Sequence, residues 1–332
     1  MIVTVSKKRR PGRPVLPSRL PARKSWKVRP AGRLKVLESP SLTRLNWLVH
    51  AFSTRCGGAS RLHTTNGGDG PEPRPSKQSA GQVLNLGFAD WDTRTRVLSN
   101  RRQFLRAIDA RTMRLAAIEQ IHSDLVHRID QITATAPPSK FLKGDALLSN
   151  VPGVLLAVQT ADCVPILLAD AKRRAVAAIH AGWRGTLLRI AEKALGRMRM
   201  EFGTSPEDVI AAIGPSIGRS CYEVGSEVAV AFHSQFPGAR EWFDGPFDAL
   251  AAGENDPNWL PWLTMKPPGH APPPLRVHLD LVAANCAVLA QAGVPPANIS
   301  QSGLCTSCRT DLFFSYRRER ATGRLMAVIG IR

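Results

Sequence analysis

The sequence lacks the marks of a membrane-spanning or secreted chain. Its 332 residues contain no uninterrupted run of about 18 apolar side chains, which excludes a transmembrane helix. No apolar segment of about 7–15 residues follows the basic N-terminus, so a secretory signal peptide is excluded. Six cysteines in so long a chain do not form a disulfide scaffold. These absences predict a cytoplasmic protein with free or metal-bound thiols and no membrane partner.

Acidic residues are scarce in the N-terminal segment. Residues 1–45 contain 13 Lys and Arg side chains but one acid, Glu38, so they carry 12 of the 19 net positive charges. Six prolines and little apolar periodicity accompany that charge. Such a segment buries too little surface to offset its ordering entropy. We predict a basic, Pro-rich disordered tail over residues 1–45 and one catalytic domain over residues 46–332.

Several roles are compatible with such a tail. A solvated extension, or a start codon placed too far upstream, is the favoured interpretation. A non-specific polyanion-binding arm is the physical alternative, because clustered Lys and Arg attract phosphates regardless of sequence. An organelle transit sequence is a third alternative, although the prolines oppose an amphipathic helix. The remaining charge of +7 on residues 46–332 does not indicate a specific nucleic-acid partner.

Apolar runs predict a strand-rich fold. Residues 154–158, 164–168 and 175–179 are almost continuously apolar, which is typical of strands covered on both faces. Apolar positions three to four residues apart predict helices instead. The other predicted strands are residues 46–54, 114–121, 145–149, 209–213, 299–302, 313–315 and 325–331, and the predicted helices are residues 95–108, 186–202, 227–236 and 279–293. Residues 60–82 and 236–276 are predicted to be irregular, and strict strand–helix alternation is absent.

Three metal-capable side chains are expected at strand ends. Cys163 lies in the polar turn between two apolar runs, His180 follows the third run, and His122 follows an earlier predicted strand. Functional groups gather at such positions. Two imidazoles and one thiolate would leave an open fourth position, as in catalytic zinc sites. Spacing alone does not bring the three together, so a structural role for each histidine stays open.

Short motifs occur in order along the chain. They are TRCGG (54–58), LNLG (84–87), QIHS (120–123), GDA (144–146), TADC (160–163), HAGWRG (180–185), GPSIG (214–218) and FFSYRR (313–318). With these motifs the chain resembles, from about residue 48 to residue 332, the YfiH-like family, whose members are also described as polyphenol oxidase (laccase) or purine nucleoside phosphorylase. The pair TADC and HAGWRG is the most specific part of that resemblance.

The resemblance implies a fold and an activity. The fold is a single-domain αββα layered sandwich with mixed sheets, an α/β fold of the α+β type. The activity is phosphorolysis of adenosine, inosine and methylthioadenosine, with adenosine deamination as a companion reaction. The cofactor is Zn²⁺ held by His122, Cys163 and His180, and the expected partners are a purine nucleoside and phosphate.

Acids and cations within the motifs are candidates for the chemistry. Asp162 and Asp145 are the predicted catalytic carboxylates, because deamination needs an activated water and a proton shuttle. Guanidinium groups suit phosphate, so Arg55, Arg184 and Arg317 are predicted substrate or phosphate contacts. An ion pair within the protein is the alternative for each arginine.

Five other residues in or near these motifs have predicted roles that are less directly tied to the reaction. Gln120, beside His122, is a further predicted substrate contact. Cys305 and Cys308 form a single CxxC motif without a second pair, and a structural or packing role is expected for them. Trp183 is expected in the core, and Tyr316 is open to either a core or a binding role.

Rival functions differ in their chemistry. A multicopper oxidase needs about ten imidazoles, largely in His-x-His pairs, whereas this chain has eight His and no such pair. Copper remains compatible with a nitrogen-and-sulfur site, so a copper-dependent phenol oxidase activity is one alternative. A Cys–His hydrolase with Cys163 as nucleophile and His180 as base, acting on peptidoglycan precursors, is another. A nucleic-acid-binding module driven by the tail is the third.

Overall fold

The computed structural model describes residues 26–62, 81–131, 142–246 and 276–332. Residues 1–25 and most of the excursion predicted at 236–276 lie outside these ranges. The strands are β1 Lys27–Ala31, β2 Leu34–Glu38, β3 Leu48–Ser53, β4 Cys56–Arg61, β5 Gln82–Val83, β6 Arg114–Ala117, β7 Val126–Arg128, β8 Ala146–Ser149, β9 Val154–Thr160, β10 Val164–Asp170, β11 Ala175–Ala181, β12 Val209–Ile213, β13 Glu223–Val224, β14 Phe243–Asp244, β15 Val277–Leu279, β16 Ile299–Gln301 and β17 Leu325–Ile331.

Six α-helices complete the described part of the chain. The first lies between the two halves of the strand-rich N-terminal region, and the others follow β11. They are α1 Arg94–Ala107, α2 Trp183–Leu187, α3 Ile190–Phe202, α4 Ser226–Gln235, α5 Leu281–Gln291 and α6 Tyr316–Glu319. None of the helices in the described ranges is long and apolar enough to cross a membrane.

Two six-stranded mixed sheets form the framework. Sheet I has the order β1-β2-β3-β17-β9-β6, and sheet II has the order β16-β12-β10-β11-β8-β7. Most neighbours are antiparallel, but β6 runs parallel to β9, and in sheet II the β7–β8 and β12–β16 pairs are parallel. Because β9 and β10 are joined by the short turn at residues 161–163, the chain passes from one sheet directly to the other at that turn.

Side-chain alternation along the strands produces four layers. On β10, Ile166 and Leu168 pack in a cluster with residues of α3, α4 and α5, whereas Leu167 and Ala169 pack in a second cluster with the inner face of sheet I. The outer face of sheet I packs against Phe104 of α1 in a third cluster. Successive strand residues point to opposite faces, so both faces of each sheet are buried. The predicted αββα layered sandwich is confirmed.

The prediction of a disordered tail up to residue 45 is wrong for its second half. β1 and β2 form an antiparallel hairpin at the edge of sheet I, and β2 inserts Val36 and Leu37, both fully buried, into the core. After β2, the backbone N–H of Ser39 donates to His50 Nε2 at 2.9 Å. Burial lowers the pKa of His50 to about 4, so the ring stays neutral and accepts this bond at pH 7.

The high density of basic residues explains why this hairpin was not predicted from the sequence. Lys27, Arg29, Arg33 and Lys35 made the segment resemble the basic stretch before it. In the structure Arg29 pairs with Glu38 across the hairpin at 2.7 Å, and on β2 Lys35 is exposed while its neighbours Leu34 and Val36 are buried. The tail, with its predicted polyanion contact, is therefore confined to residues 1–25 and remains a prediction there.

Two further elements differ from prediction. The helix expected over residues 186–202 is interrupted at Arg189, which has a φ of +59° and separates α2 from α3. A non-glycine residue in the left-handed region ends one helix and allows the next to start in a new direction. Residues 313–315, predicted as a strand, are instead a buried extended segment that leads into α6. The other predicted strands and helices are present with shifted ends.

Candidate active site

A buried carboxylate organises the loop that carries His122. Asp145, directly before β8, accepts the backbone N–H groups of Ile121, His122 and Ser123 at 3.3, 3.1 and 2.6 Å, and the Ser123 hydroxyl at 2.7 Å. His122 has a φ of +59°, an uncommon conformation for a histidine. Three N–H donors converging on one carboxylate stabilise that conformation. The loop after β6 is therefore tied to the start of β8 in the other sheet.

The same carboxylate orients His180. His180 lies on β11 with 3% of its surface exposed, and its Nδ1 donates to Asp145 Oδ1 at 2.8 Å. An ionised carboxylate only accepts hydrogen bonds, so Nδ1 carries a proton and Nε2 is left as the ring atom that can bind a metal once it is deprotonated. A carboxylate behind an imidazole is the usual arrangement for a metal-binding histidine.

Cys163 completes a three-donor cluster. Its Sγ lies 3.9 Å from His122 Nε2, and the donor atoms of His122, Cys163 and His180 all lie within 4.8 Å of one another. A side chain at Gly182 would block this convergence, since a Cβ there would lie 3.1 Å from Cys163 Sγ and from His122 Cδ2. The predicted metal ligands are therefore brought together, and we call these three residues the histidine–cysteine site.

Mutual electrostatics favours the ionised thiol. Burial opposes ionisation of Cys163, but the charge of His180 and hydrogen bonds from both histidines outweigh it and lower its pKa to about 6. Burial likewise disfavours an imidazolium at His180, yet the Cys163 thiolate and Asp145 raise the pKa of His180 to about 9. Desolvation of Asp145 is outweighed by its hydrogen bonds, which lower its pKa to about 2.

This donor set fits a zinc-type ion. Two imidazole nitrogens and one thiolate sulfur are three protein ligands, which leaves a fourth position for substrate or water. A site with one soft sulfur and two imidazoles also accepts copper, so the donor atoms select this class of metals without selecting one member.

A cavity of about 700 Å³ opens onto the histidine–cysteine site. Its wall combines cations, two aromatic rings and polar side chains around the three donor atoms. Besides the three ligands, the residues that line it include Phe88, Arg101, Gln120, Gln159, Tyr316 and Arg324. A cavity of this size suits a small organic substrate together with an anion.

The predicted carboxylates do not line this cavity. Both oxygens of Asp145 accept hydrogen bonds from the protein, as described above. Asp162 Oδ1 accepts the Thr306 hydroxyl at 2.6 Å, and its Oδ2 accepts the Arg317 backbone N–H at 2.7 Å. With a φ of +98°, Asp162 turns the chain so that Cys163 faces the histidines. The carboxylates therefore lie behind the ligands and position them.

Arg55, a predicted anion contact, has its guanidinium paired within the protein. Arg55 is 7% exposed and donates to Glu319 Oε1 at 2.6 Å. Its guanidinium lies 4.6 Å from the ring centroid of Phe314, and it also donates to two backbone carbonyl oxygens. Every face of the group is used within the protein, so Arg55 joins the segment before α6 to the end of β3.

The other two predicted arginines stack on aromatic rings outside the main cavity. Arg184 is exposed and lies over the ring of Trp183 at 4.4 Å. Arg317 lies 5.5 Å from the ring centroid of Tyr222, donates to a backbone carbonyl, and lines a cavity of about 490 Å³ with Trp183. Trp183 is partly buried: it packs against the core cluster that contains α3 and also borders this cavity. Neither arginine lines the cavity at the histidine–cysteine site.

Gln120 does line the main cavity, and its amide is held in place. Its Nε2 donates to the Gln159 backbone oxygen at 2.8 Å, and its Oε1 accepts the Gln159 backbone N–H at 2.7 Å. This pair of bonds joins the loop after β6 to β9. One amide hydrogen of Gln120 remains for a ligand.

Sequence reasoning missed two cations of the main cavity. Arg101 lies on α1, where its Nε donates to the Leu86 carbonyl at 2.9 Å and its guanidinium lies 4.6 Å from the Phe88 ring. Desolvation and the charge of Arg94 lower the pKa of Arg101 to about 10. The second cation, Arg324, directly precedes β17. In the sequence, Arg101 was signalled only by the LNLG motif that it contacts, and Arg324 only by its position before a buried strand.

The fold and this site define the class of protein: an αββα fold with a three-donor candidate metal site where its two sheets meet. Residues 49–332 match the family described as multi-copper polyphenol oxidoreductase laccase. The chain belongs to that family. The resemblance to YfiH-like proteins is thereby confirmed.

Individual relatives agree with this assignment. A purine nucleoside phosphorylase from Deinococcus radiodurans is 36% identical over 299 residues, which covers 90% of this chain and 93% of the relative. The crystal structure of the Bacillus licheniformis hypothetical protein YfiH superposes with a TM-score of 0.71 at 27% identity, covering 92% of this chain and 99% of that one. Adenosine deaminase RL5 from an unknown prokaryotic organism is 38% identical over 174 residues, 52% of this chain and 56% of its own.

Proposed function

We propose that this chain is a zinc-dependent purine nucleoside phosphorylase acting on adenosine, inosine and methylthioadenosine. The observation that carries the proposal is the three-donor cluster facing a cavity that also contains two arginines. The phosphorylase name of the Deinococcus relative, which matches nearly the whole chain, supports it. Adenosine deamination is proposed as a companion activity, supported by the relative named adenosine deaminase.

Phosphorolysis requires an anion site beside the nucleoside. A phosphate oxygen attacks the anomeric carbon of the ribose, the bond from that carbon to the purine nitrogen breaks, and the purine leaves with a proton. Arg101 and Arg324 are the cations that line the cavity, and guanidinium groups suit phosphate geometry. We therefore assign phosphate binding to this pair in place of Arg55. Arg184 and Arg317 remain proposed substrate or phosphate contacts, although neither lines this cavity.

His122, Cys163 and His180 are the residues that would hold Zn²⁺. When bound, the ion supplies a Lewis acid that polarises a substrate oxygen or activates water. Asp145 holds the His122 loop and the His180 ring, and Asp162 holds the turn before Cys163. We assign positioning roles to both carboxylates, because their oxygens are already occupied by protein donors. Gln120 is proposed to orient the substrate through its remaining amide hydrogen.

Product analysis tests the reaction. Purified protein is incubated with adenosine and phosphate, and the products are separated by chromatography. Adenine and ribose 1-phosphate are expected. Inosine would identify deamination as the main activity, and the absence of all three products would overturn the proposal.

A matched pair of arginine variants tests the phosphate site. Arg101→Gln removes a charge-assisted contact, so we expect the KM for phosphate to rise about tenfold or more. Arg96→Gln, an exposed residue on the same helix, is the control and leaves this KM unchanged. A similar KM for phosphate in both variants would remove Arg101 from the phosphate site.

Two alternatives have specific support. The proximity of His180 to Cys163, which lowers the pKa of the thiol, suits a Cys–His hydrolase for peptidoglycan precursors. The family description favours a copper-dependent phenol oxidase. Metal analysis separates them: retained zinc supports the proposal, retained copper favours the oxidase, and a metal-free protein whose Cys163 is rapidly alkylated favours the hydrolase. A cytoplasmic location belongs to the proposal, because the site needs a reduced thiol.

A further inference from the structure

A second group of three donor atoms lies outside the active site. Cys221 ends a short 3₁₀ turn at Arg219–Cys221, and Cys305 and Cys308 lie in the segment after β16. Their Sγ atoms all lie within 4.8 Å of one another, and those of Cys221 and Cys308 are 3.4 Å apart. We call these residues the three-cysteine cluster. The CxxC motif, which has no second pair in sequence, finds its third thiol 87 positions away.

A backbone N–H contacts one sulfur of the cluster. The N–H of Gly218 donates to Cys305 Sγ at 3.1 Å. A Cβ on Gly218 would lie 3.2 Å from Cys305 Cβ and 3.3 Å from its Sγ, so the close approach depends on glycine. An amide hydrogen bond to sulfur stabilises a thiolate, which is the form that binds metals.

We propose that Cys221, Cys305 and Cys308 form a second metal site that binds Zn²⁺ through three thiolates. Zn–S bonds of about 2.3 Å in a tetrahedron place sulfur atoms about 3.8 Å apart. The observed separations of 3.4 Å to at most 4.8 Å surround that value, so small side-chain rotations complete the geometry. The exposed position of Cys308 leaves the fourth ligand position open to water.

The electrostatics of the cluster agrees with a requirement for a cation. Partial burial opposes ionisation of Cys221, but hydrogen bonds from Cys308, Cys305 and two serine hydroxyls outweigh it and lower its pKa. Hydrogen bonds to the neighbouring sulfurs raise the pKa of Cys308 to about 12. Ionisation of Cys221 thus disfavours ionisation of Cys308, and a bound cation would offset the repulsion between their charges.

A cation there would join the two segments that hold the active-site turn. The segment before Cys221 donates the Ile217 N–H to the Asp162 carbonyl at 2.9 Å. Between Cys305 and Cys308, the hydroxyl of Thr306 donates a hydrogen bond to the Asp162 carboxylate. The three-cysteine cluster thus lies behind the turn that presents Cys163, and its ion would stabilise that turn without contacting substrate.

Zinc content tests the site directly. Full-length protein is kept reduced, loaded with Zn²⁺, dialysed against metal-free buffer and measured by mass spectrometry. We expect Cys308→Ser to retain about one zinc fewer per chain than the unaltered protein, because one thiolate ligand is lost. Cys56→Ser, which replaces a thiol on β4, is the matched control and retains the full content. Equal zinc in a folded Cys308→Ser protein would overturn the proposal.

Cobalt spectroscopy provides a second readout that does not depend on the folding of cluster variants. Each thiolate bound to Co²⁺ produces a near-ultraviolet charge-transfer band. His122→Ala changes an exposed residue of the histidine–cysteine site and leaves the cluster untouched. A strong three-thiolate band is therefore expected to persist in this variant, and its absence would overturn the proposal. Both measurements are independent of whether the protein performs phosphorolysis.

Discussion

The histidine–cysteine site and the three-cysteine cluster bring donor atoms together in different ways. In the first, His180 lies on β11, and a buried carboxylate holds the imidazole of His180 and the backbone N–H of His122. In the second, all three donors lie on segments outside the strands, and a single backbone N–H contacts one sulfur. The first arrangement is prepared before any ion binds, because sheet pairing and Asp145 determine it. The second depends more on the ion that it would bind.

Asp162 connects the two regions. Its backbone turns the chain toward Cys163, while its carboxylate and carbonyl accept bonds from the segments that carry the three cysteines. A change at the cluster can therefore reach the active site through one residue. We therefore expect large losses of stability and zinc affinity from changes that support the histidine–cysteine site directly, and smaller losses from changes at the contacts between the two regions.

The largest effect is expected from Asp145→Asn. This change removes the charge that three N–H groups and His180 share, and breaking a buried pair costs about 3–5 kcal/mol. Loss of the carboxylate behind the histidine lowers zinc affinity about 10–100-fold. Urea unfolding and zinc titration measure the two effects. The control is Asp124→Asn, which breaks an exposed pair with Lys193 and costs less than about 1 kcal/mol. Equal losses of stability in the two variants would show that the hydrogen bonds to Asp145 stabilise the fold no more than an exposed ion pair does.

Gly182→Ala is expected to have the next largest effect. The added Cβ would contact Cys163 Sγ and His122 Cδ2 at 3.1 Å, so the donors must separate. Overpacking of this kind costs about 1–3 kcal/mol and weakens zinc binding at this site. Gly196→Ala on α3, where nothing lies within 4 Å, is expected to be neutral or slightly stabilising. Unchanged zinc affinity in Gly182→Ala would show that the site tolerates a wider spacing.

Thr306→Val tests the connection between the two regions. It removes the hydroxyl that donates to Asp162 and leaves a buried carboxylate oxygen without that partner, at a cost of about 1–3 kcal/mol. We expect Cys163 to be less well positioned, so the zinc affinity of the histidine–cysteine site also falls. Thermal unfolding and zinc titration measure the two quantities. If stability falls while this zinc affinity is unchanged, the two regions are independent.

The smallest effect is expected from Ser123→Ala. The hydroxyl of Ser123 donates to Asp145, but the backbone N–H of the same residue donates to the same oxygen at 2.6 Å. Because Asp145 keeps its other donors, the loss of stability is about 0.5–1 kcal/mol. Urea unfolding beside Asp145→Asn measures it. A loss as large as that of Asp145→Asn would mean that the hydroxyl, rather than the backbone, organises the His122 loop.

Much of the fold followed from local pattern. The apolar runs at residues 154–158, 164–168 and 175–179 are strands β9, β10 and β11, because strands covered on both faces need such runs. The hairpin β1–β2 was missed because its charged residues lie on the solvent side and its few apolar residues are buried only through sheet I. The break at Arg189 was missed because nothing in an amphipathic pattern reports a left-handed φ.

For the candidate site, the three donor residues were predictable from the sequence, but the roles of the surrounding charged residues were not. His122, Cys163 and His180 were found as strand-end donors and through their motifs, and the structure brings them together. Arg55 and the two carboxylates were assigned to chemistry because they lie in motifs. Motif membership does not say whether a side chain faces the cavity or the protein. That distinction depends on the partners of each polar atom, which belong to segments far away in sequence.

The sequence by itself determined the strand-rich pattern, the three donors of the active site and the class of metal that they suit. Periodicity and donor chemistry are local properties, so one chain is enough to show them. Tertiary structure alone decided that Asp145 holds two histidines, that Arg101 and Arg324 share a cavity, and that Cys221 meets a CxxC motif 87 positions later. Such contacts arise when packed sheets bring distant segments into register, and no local pattern encodes them.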